Sequence, residues 1–216
     1  MKGTVVVFAK QARMGRVKTR LAKGLGHASA LAFYRRTLAA TLRTATGGGW
    51  RVVLCVSPDS AARQTRLWPM RSKSAPAKFA PQGRGDLGQR MARALATQTG
   101  PTILIGCDIP EIRRSDLAAA FAALGSADLV FGPALDGGYW LVGVRAARFA
   151  AGLFDGVRWS SQHALADTLA NARHRRIATL RLLADIDEAA DWHAWNARAT
   201  NAPIVRPTRV ANVYPL

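Results

Sequence analysis

The stretch Thr102-Ile-Leu-Ile-Gly-Cys-Asp-Ile-Pro110 is a short apolar run that breaks abruptly at Gly106, Asp108 and Pro110. A buried parallel strand reads this way when it carries a carboxylate to its carboxyl end and then turns. In open α/β sheets ligands bind outside that edge. The stretch Gly132-Pro-Ala-Leu-Asp-Gly-Gly-Tyr-Trp-Leu-Val-Gly143 repeats the pattern. Asp128-Leu-Val-Phe-Gly132 stops at Pro133, and Asp136-Gly-Gly138 turns onto another apolar run. Asp108 and Asp136 thus emerge at strand ends beside small residues that let a ligand approach the backbone. Either junction alone is an ordinary strand-to-turn transition. The pair points to a ligand site.

Outward from these strands, the chain alternates strand and helix, which predicts a mostly parallel sheet covered on both faces. Thr4–Ala9 reads as a first strand, 28–46 as a helix ended by Gly47-Gly-Gly49, and Arg51–Val56 as a second strand. Residues 60–80 are ambiguous: polar and basic, they suggest a short helix and a loop leading to a strand near Phe79. A glycine-bearing loop from Gly83 to Gly88 opens a helix reaching about Thr97. Ser115 is the expected N-cap of a helix over 116–124. Two strands flank Asp136, a helix is expected near 163–173, a strand over 177–183 and a last helix over about 188–198. The expected organisation is one domain over 1–199 and a proline-containing arm over 200–216.

With 216 residues, 49% apolar and 20% charged, the chain has the composition of a globular protein with its own core. Cys55 and Cys107 each lie in or just after an apolar run, with neither disulfide-framework nor metal-ligand spacing, and read as buried thiols in a reducing cytoplasm. No signal peptide is evident, and no apolar stretch approaches the roughly 20 residues that span a bilayer. The charge is uneven: residues 1–85 hold 17 Lys and Arg against Asp59 alone, out of a net +18. Such a field attracts phosphates, whether on a nucleotide, a nucleic acid or an anionic membrane. A basic nucleic-acid-binding module is therefore the rival outside enzymes. The chain has no zinc-finger spacing, no RNP-like aromatic motif and no evident helix-turn-helix, which disfavours it.

Three constellations carry chemistry. The first is the loop after the first strand, where Lys10, Arg13, Arg16, Lys18 and Arg20 fall within eleven residues around Gly15 and Thr19. It fits neither a Walker A loop nor the dinucleotide glycine fingerprint. Lysine point charges and arginine forks together suit a diphosphate, while the plain alternative is a solvated basic loop. The second is Gln82-Gly-Arg-Gly-Asp-Leu-Gly88, a turn entering a helix with Asp86 as possible N-cap; a capped helix start explains it as readily as a base or phosphate site. The third is Asp185-Ile-Asp187, where Asp187 either joins Asp108 on a divalent cation or caps the final helix. Trp192 and Trp195, with Ile186, read as core.

As a set, and in this order, the motifs resemble a family. They are Phe8-x-Lys10 with Gly15-Arg-Val-Lys-Thr-Arg-Leu21, Gln82 with Gly85-Asp-Leu-Gly-x-Arg-Met91, Gly106-x-Asp108-x-Pro110, Gly132-Pro-Ala-x-Asp-Gly-Gly-Tyr139 and Asp185-x-Asp187. They resemble bacterial GT-A-fold glycosyltransferases, or nucleotide-diphospho-sugar transferases, often associated with radical-SAM genes and in part named for arsenosugar biosynthesis. The likeness spans roughly residues 3–197. More distantly the chain is similar to 2-phospholactate and molybdenum-cofactor guanylyltransferases through Cys107-Asp108-x-Pro110.

The resemblance implies a single Rossmann-like domain and a donor that is a nucleotide sugar or an NTP. It implies nucleotide binding by Lys10, Gly15, Lys18, Thr19, Arg20, Gln82, Gly85, Asp86 and Leu87. Mg²⁺ or Mn²⁺ would sit on Asp108 with Asp187. A small-molecule acceptor would lie along Asp136, Gly137, Gly138, Tyr139 and Trp159, with Asp108, Asp136 and Lys18 catalytic. Glycosyl transfer leads, and nucleotidyl transfer with release of pyrophosphate is the alternative. The chain departs from the pattern at Trp159-Ser-Ser-Gln162, where the family has Trp-Gly-Thr-Asp. It departs again at Asp187-Glu-Ala-Ala-Asp191, for Asp-Thr-Pro-Glu-Asp, and at Lys10-Gln-Ala12, which lacks a proline.

Overall fold

A computed structural model describes residues 3–69 and 78–201. The proposed arm beyond residue 201 and the loop over 70–77 lie outside the described residues. Seven strands form one sheet: β1 (Thr4–Lys10), β2 (Arg51–Ser57), β3 (Lys78–Pro81), β4 (Thr102–Ile105), β5 (Leu129–Pro133), β6 (Tyr139–Val144) and β7 (Ile177–Thr179). Their order is β3-β2-β1-β4-β6-β5-β7. β6 runs antiparallel to both β4 and β5, and every other pairing is parallel. The expected α/β fold with a mostly parallel sheet and helices on both faces is therefore what the chain adopts.

The alternation of β1 divides the core. Val5, Val7 and Ala9 face one layer, with Leu31, Leu38 and Leu42 of α2 (His27–Thr46) and Leu117 of α4 (Arg114–Ala123). Val6 and Phe8 face the other, with Met91 and Leu95 of α3 (Leu87–Ala96) and with Leu165 and Leu169 of α5 (Ala164–Ala170). Both sides of the central strand are dry, which is why it reads as continuous Val and Phe rather than as alternating polarity.

A third cluster positions the site. Leu21 and Ala22 of α1 (Thr19–Leu25) pack with Ala30 and Phe33 of α2, Ile186, and the Trp192 and Trp195 rings of α6 (Ala189–Asn201). Trp195 meets Phe33 edge-on at 5.9 Å. A Cβ at Gly24 would stand 2.5 Å from that of Ala189, so glycine lets α1 and α6 lie this close. The tryptophan pair is core, as the sequence indicates.

Three elements differ from the sequence reading. The basic loop gives way at Thr19 to α1, which a glycine and five cations had hidden. α4 begins at Arg114 after Arg113, not behind Ser115: Asp116 Oδ2 accepts the Arg113 amide at 2.7 Å, so the aspartate does the capping from inside the helix. The strand expected over 177–183 pairs only over Ile177–Thr179, with a single bridge from Leu183 to Ala134 beyond it. The ambiguous region follows its reading, opening with short 3-10 helices, Asp59–Arg63 and Thr65–Leu67, and ending in β3 around Phe79.

Candidate active site

β1 lies between β2 and β4, and the chain moves outward in opposite directions from it. This is the switch point where α/β sheets open a crevice. The loops after β1, β3, β4 and β5 and the segment after β7 all converge there around a cleft of about 680 Å³. Its wall brings together Lys10, Lys18, Thr19, Arg20, Gln82 and Leu87 from the expected nucleotide set. From the expected metal and acceptor sets it holds Asp108, Asp187, Asp136, Gly138, Tyr139 and Trp159. Gly15, Gly85, Asp86 and Gly137 are not part of this wall. Gly15 turns the exposed tip of the first loop with φ +70. Asp86 caps α3 in a reciprocal box with Gln89, and also borders a separate small hollow beside Gly152 and Gly156.

Lys18 is the centre of the cleft. It precedes α1 in a left-handed conformation, φ 47 and ψ 48, a strained setting for a side-chain-bearing residue. That backbone turns its side chain inward, where it is only 4% exposed. The ammonium nitrogen lies 2.6 Å from Asp187 Oδ1 and 3.4 Å from Asp108 Oδ1. Burial pulls the Lys18 pKa down, but Asp108 and Asp187 outweigh it, and the net shift is upward. Arg20 stands 3.9 Å from Asp187 and is mostly exposed. Asp187 does not cap α6. Asp191 Oδ2 takes that role, accepting the amides of Asp187 at 3.1 Å and Glu188 at 2.8 Å, and so leaves the Asp187 carboxylate to the cleft.

Asp185, unassigned by residue reasoning although its motif was visible, also lines the cleft. Its own burial first, then Asp187 and Asp136, push its carboxyl up to about 6. Four carboxylates thus share one field with the Lys18 ammonium among them. Asp108 and Asp187, half-exposed carboxylates paired with the Lys18 ammonium, have the donor chemistry that suits a hard divalent ion, which takes one or two carboxylates and completes its shell with water and phosphate oxygens. Among the described residues no group of three or more His, Cys, Asp or Glu forms a closed metal cage. An open two-carboxylate site is what the geometry offers.

Other residues act as braces. Gln82 donates from its amide to the carbonyls of Ala9 and Cys55 and accepts from Arg90 Nη1 at 3.1 Å. Its side chain thereby ties β3 to β1 and β2. The Tyr34 hydroxyl donates to the Lys10 carbonyl and accepts the Lys10 amide, both at 2.8 Å, pinning the start of the first loop. Gly137 (φ +84) packs so closely that a Cβ would meet the Gln162 carbonyl oxygen at 2.2 Å. Its smallness seats the Asp136 turn on the 158–163 segment. Ser160, standing where the resembled family has glycine, keeps a left-handed φ of 57.

Both cysteines are unpaired and buried. Burial pushes each thiol up to about 12. At pH 8 neither should be a thiolate, so iodoacetamide is expected to modify neither in the folded protein and both after denaturation, read by intact mass. Modification of Cys107 at the rate of a free thiol would show that the cleft floor opens beneath Asp108.

Similar proteins place this geometry. A solved structure from Desulfovibrio desulfuricans G20, provisionally assigned as a nucleotide-diphospho-sugar transferase, matches with a TM-score of 0.83 and 27% identity over 95% of this chain and 91% of that one. The inositol-1-phosphate CTP transferase of T. maritima matches at 0.58 and 15% identity over 87% and 90%. Rv0371c of Mycobacterium tuberculosis H37Rv, solved with manganese, matches at 0.50 and 17% over 90% and 97%. The last two share the fold. No curated protein matches the chain in sequence. Fold, cleft and the first of these likenesses define an enzyme of the transferase class. The chain belongs to DUF2064, a family described as uncharacterized and conserved in bacteria, which matches residues 38–161. Among the described residues no helix is long and apolar enough to cross a membrane.

Proposed function

We propose that the protein is a metal-dependent transferase that takes a nucleotide-activated donor, transferring a glycosyl group from a nucleoside diphosphate sugar to a small acceptor. The observation that carries this reading is the Asp108–Lys18–Asp187 arrangement at the mouth of β1 and β4. Asp108 and Asp187 hold Mg²⁺ or Mn²⁺, and the ion supplies Lewis-acid charge to the diphosphate. Lys18, Arg20 and Lys10 bind the phosphate oxygens and stabilise the charge that builds on the leaving diphosphate. Thr19 and the Gln82–Leu87 segment border the nucleotide. Asp136 holds the Gly138 amide on Oδ1 at 2.9 Å and turns its other oxygen to the acceptor hydroxyl, whose proton it takes. Tyr139 and Trp159 flank that acceptor.

The likeness to an inositol-1-phosphate CTP transferase supports a second reading, nucleotidyl transfer with release of pyrophosphate. It needs the same cations and metal. The resemblance to radical-SAM-associated, arsenosugar-type transferases and to guanylyltransferases belongs to these same two readings. Two unpaired thiols suit action in a reducing cytoplasm. One experiment tests both chemistries: the protein with Mn²⁺, a panel of NTPs and nucleotide sugars, and a broad set of small acceptors, scored for released pyrophosphate or nucleoside diphosphate. Nucleoside diphosphate release, abolished by a chelator, is the expected result. Release of neither product would overturn the assignment.

A further inference from the structure

We propose that the acceptor is an unphosphorylated alcohol, bound on the cleft wall that the Asp136 turn and the Trp159–Gln162 segment form together. This deepens the transferase reading and rests on it. The cleft is divided by charge. Its cations, Lys10, Lys18, Arg20 and Arg90, all come from the end of β1, the first loop, α1 and α3. The opposite wall is built from Asp136, Asp185, Tyr139 and the 159–162 segment, and among the described residues no Lys or Arg lines it.

The guanidinium groups nearest that wall in sequence are already committed. Arg158 holds Asp167 through Nε at 2.9 Å and Nη2 at 2.8 Å. Arg181 holds Asp116 through two bonds of 2.7 Å. Neither lines the cleft. A phosphate monoester carries nearly two negative charges and is normally met by arginine forks or lysines. Here it would face the carboxylates of Asp136 and Asp185, and among the described residues the lysine whose charge reaches Asp185, Lys18, is already held by Asp187 and Asp108.

An alcohol finds what it needs. The Tyr139 and Trp159 rings, set edge-to-face at 6.4 Å, offer an apolar flank to the carbon skeleton of a polyol or sugar. Asp136 offers an acceptor for its hydroxyl. In the transfer the alcohol oxygen bonds the reacting sugar carbon as that carbon's bond to the phosphate oxygen breaks. The electron pair leaves with the nucleoside diphosphate, and the hydroxyl proton passes to Asp136.

Calorimetry on the full chain tests this. With Mn²⁺ present, UDP, GDP, CDP or ADP, whichever binds, is brought to saturation, and matched pairs are then titrated: glycerol against glycerol 3-phosphate, and inositol against inositol 1-phosphate. The phosphate esters are expected not to bind. An Asp136→Asn/Asp185→Asn double variant should bind them at least about tenfold more tightly, because like-charge juxtaposition is removed. Tight binding of the esters by the unaltered protein, or their use as acceptors with pyrophosphate release, overturns the proposal. Equal rejection by the protein and the double variant overturns it too, since charge would not be the cause. If no nucleoside diphosphate binds at all, the donor reading fails instead, and the two failures are told apart.

Discussion

Asp108→Asn is expected to lower turnover at least about a hundredfold, roughly 3 kcal/mol of transition-state stabilisation, with little change in folding. Its side chain is half exposed, and its one ion pair is the 3.4 Å contact with Lys18. Asparagine keeps the shape and an oxygen, so the fold loses little. It removes the charge that a hard cation requires. Mn²⁺ affinity, read by calorimetry or by the paramagnetic signal of free ion, should fall with turnover. Thermal unfolding without metal should stay close to that of the unaltered protein. Activity within a few fold would show that Asp108 is not the ligand, and the cation would have to rest on Asp187 and Asp185.

The division between what the sequence disclosed and what it hid follows the range of the interactions. Strand ends are local events. The break at Gly106, Asp108 and Pro110, and the Asp136-Gly-Gly turn, mark the functional edge before any packing is known, and both aspartates line the cleft. The Asp86 cap is equally local, set by residues three apart. The meeting of Lys18 with Asp187, 169 positions away, is not local. It depends on α1, α2 and α6 sharing the Leu21–Phe33–Trp195 cluster, and α1 itself was masked by charge density that reads as loop. Asp187 could be read as metal ligand or helix cap because both uses put a carboxylate before a helix. Asp191, which takes the cap, leaves the Asp187 carboxylate free of it. Glycines were legible as turns but not by their packing: the place of a Cβ at Gly137 is taken by Gln162, a contact between distant segments.

Lys18→Ala is expected to weaken nucleoside diphosphate binding by about 1.5–3 kcal/mol, the range for hydrogen bonds to charged groups, and to do so more than Arg20→Ala. The order follows from burial. Lys18 is 4% exposed between two carboxylates, whereas Arg20 is 61% exposed and reaches one at 3.9 Å, where solvent screens it. Arg13 and Arg16, exposed at the loop tip, should cost least and mainly change salt dependence. The same substitution should act oppositely on the metal. With the ammonium gone, Asp108 and Asp187 lose the cation they share among the described residues, and Mn²⁺ binding without nucleotide should tighten. The left-handed backbone supplies a control, because Lys18→Gly removes the same charge while relieving a strain of roughly 1 kcal/mol. Glycine should therefore match alanine in nucleotide binding and exceed it in stability. Calorimetry with a nucleoside diphosphate and with Mn²⁺ alone, beside thermal unfolding, separates these effects. Equal, small losses at all four cations would leave the loop as diffuse positive charge. Weaker Mn²⁺ binding in Lys18→Ala would mean that the lysine organises the carboxylates instead of competing for them.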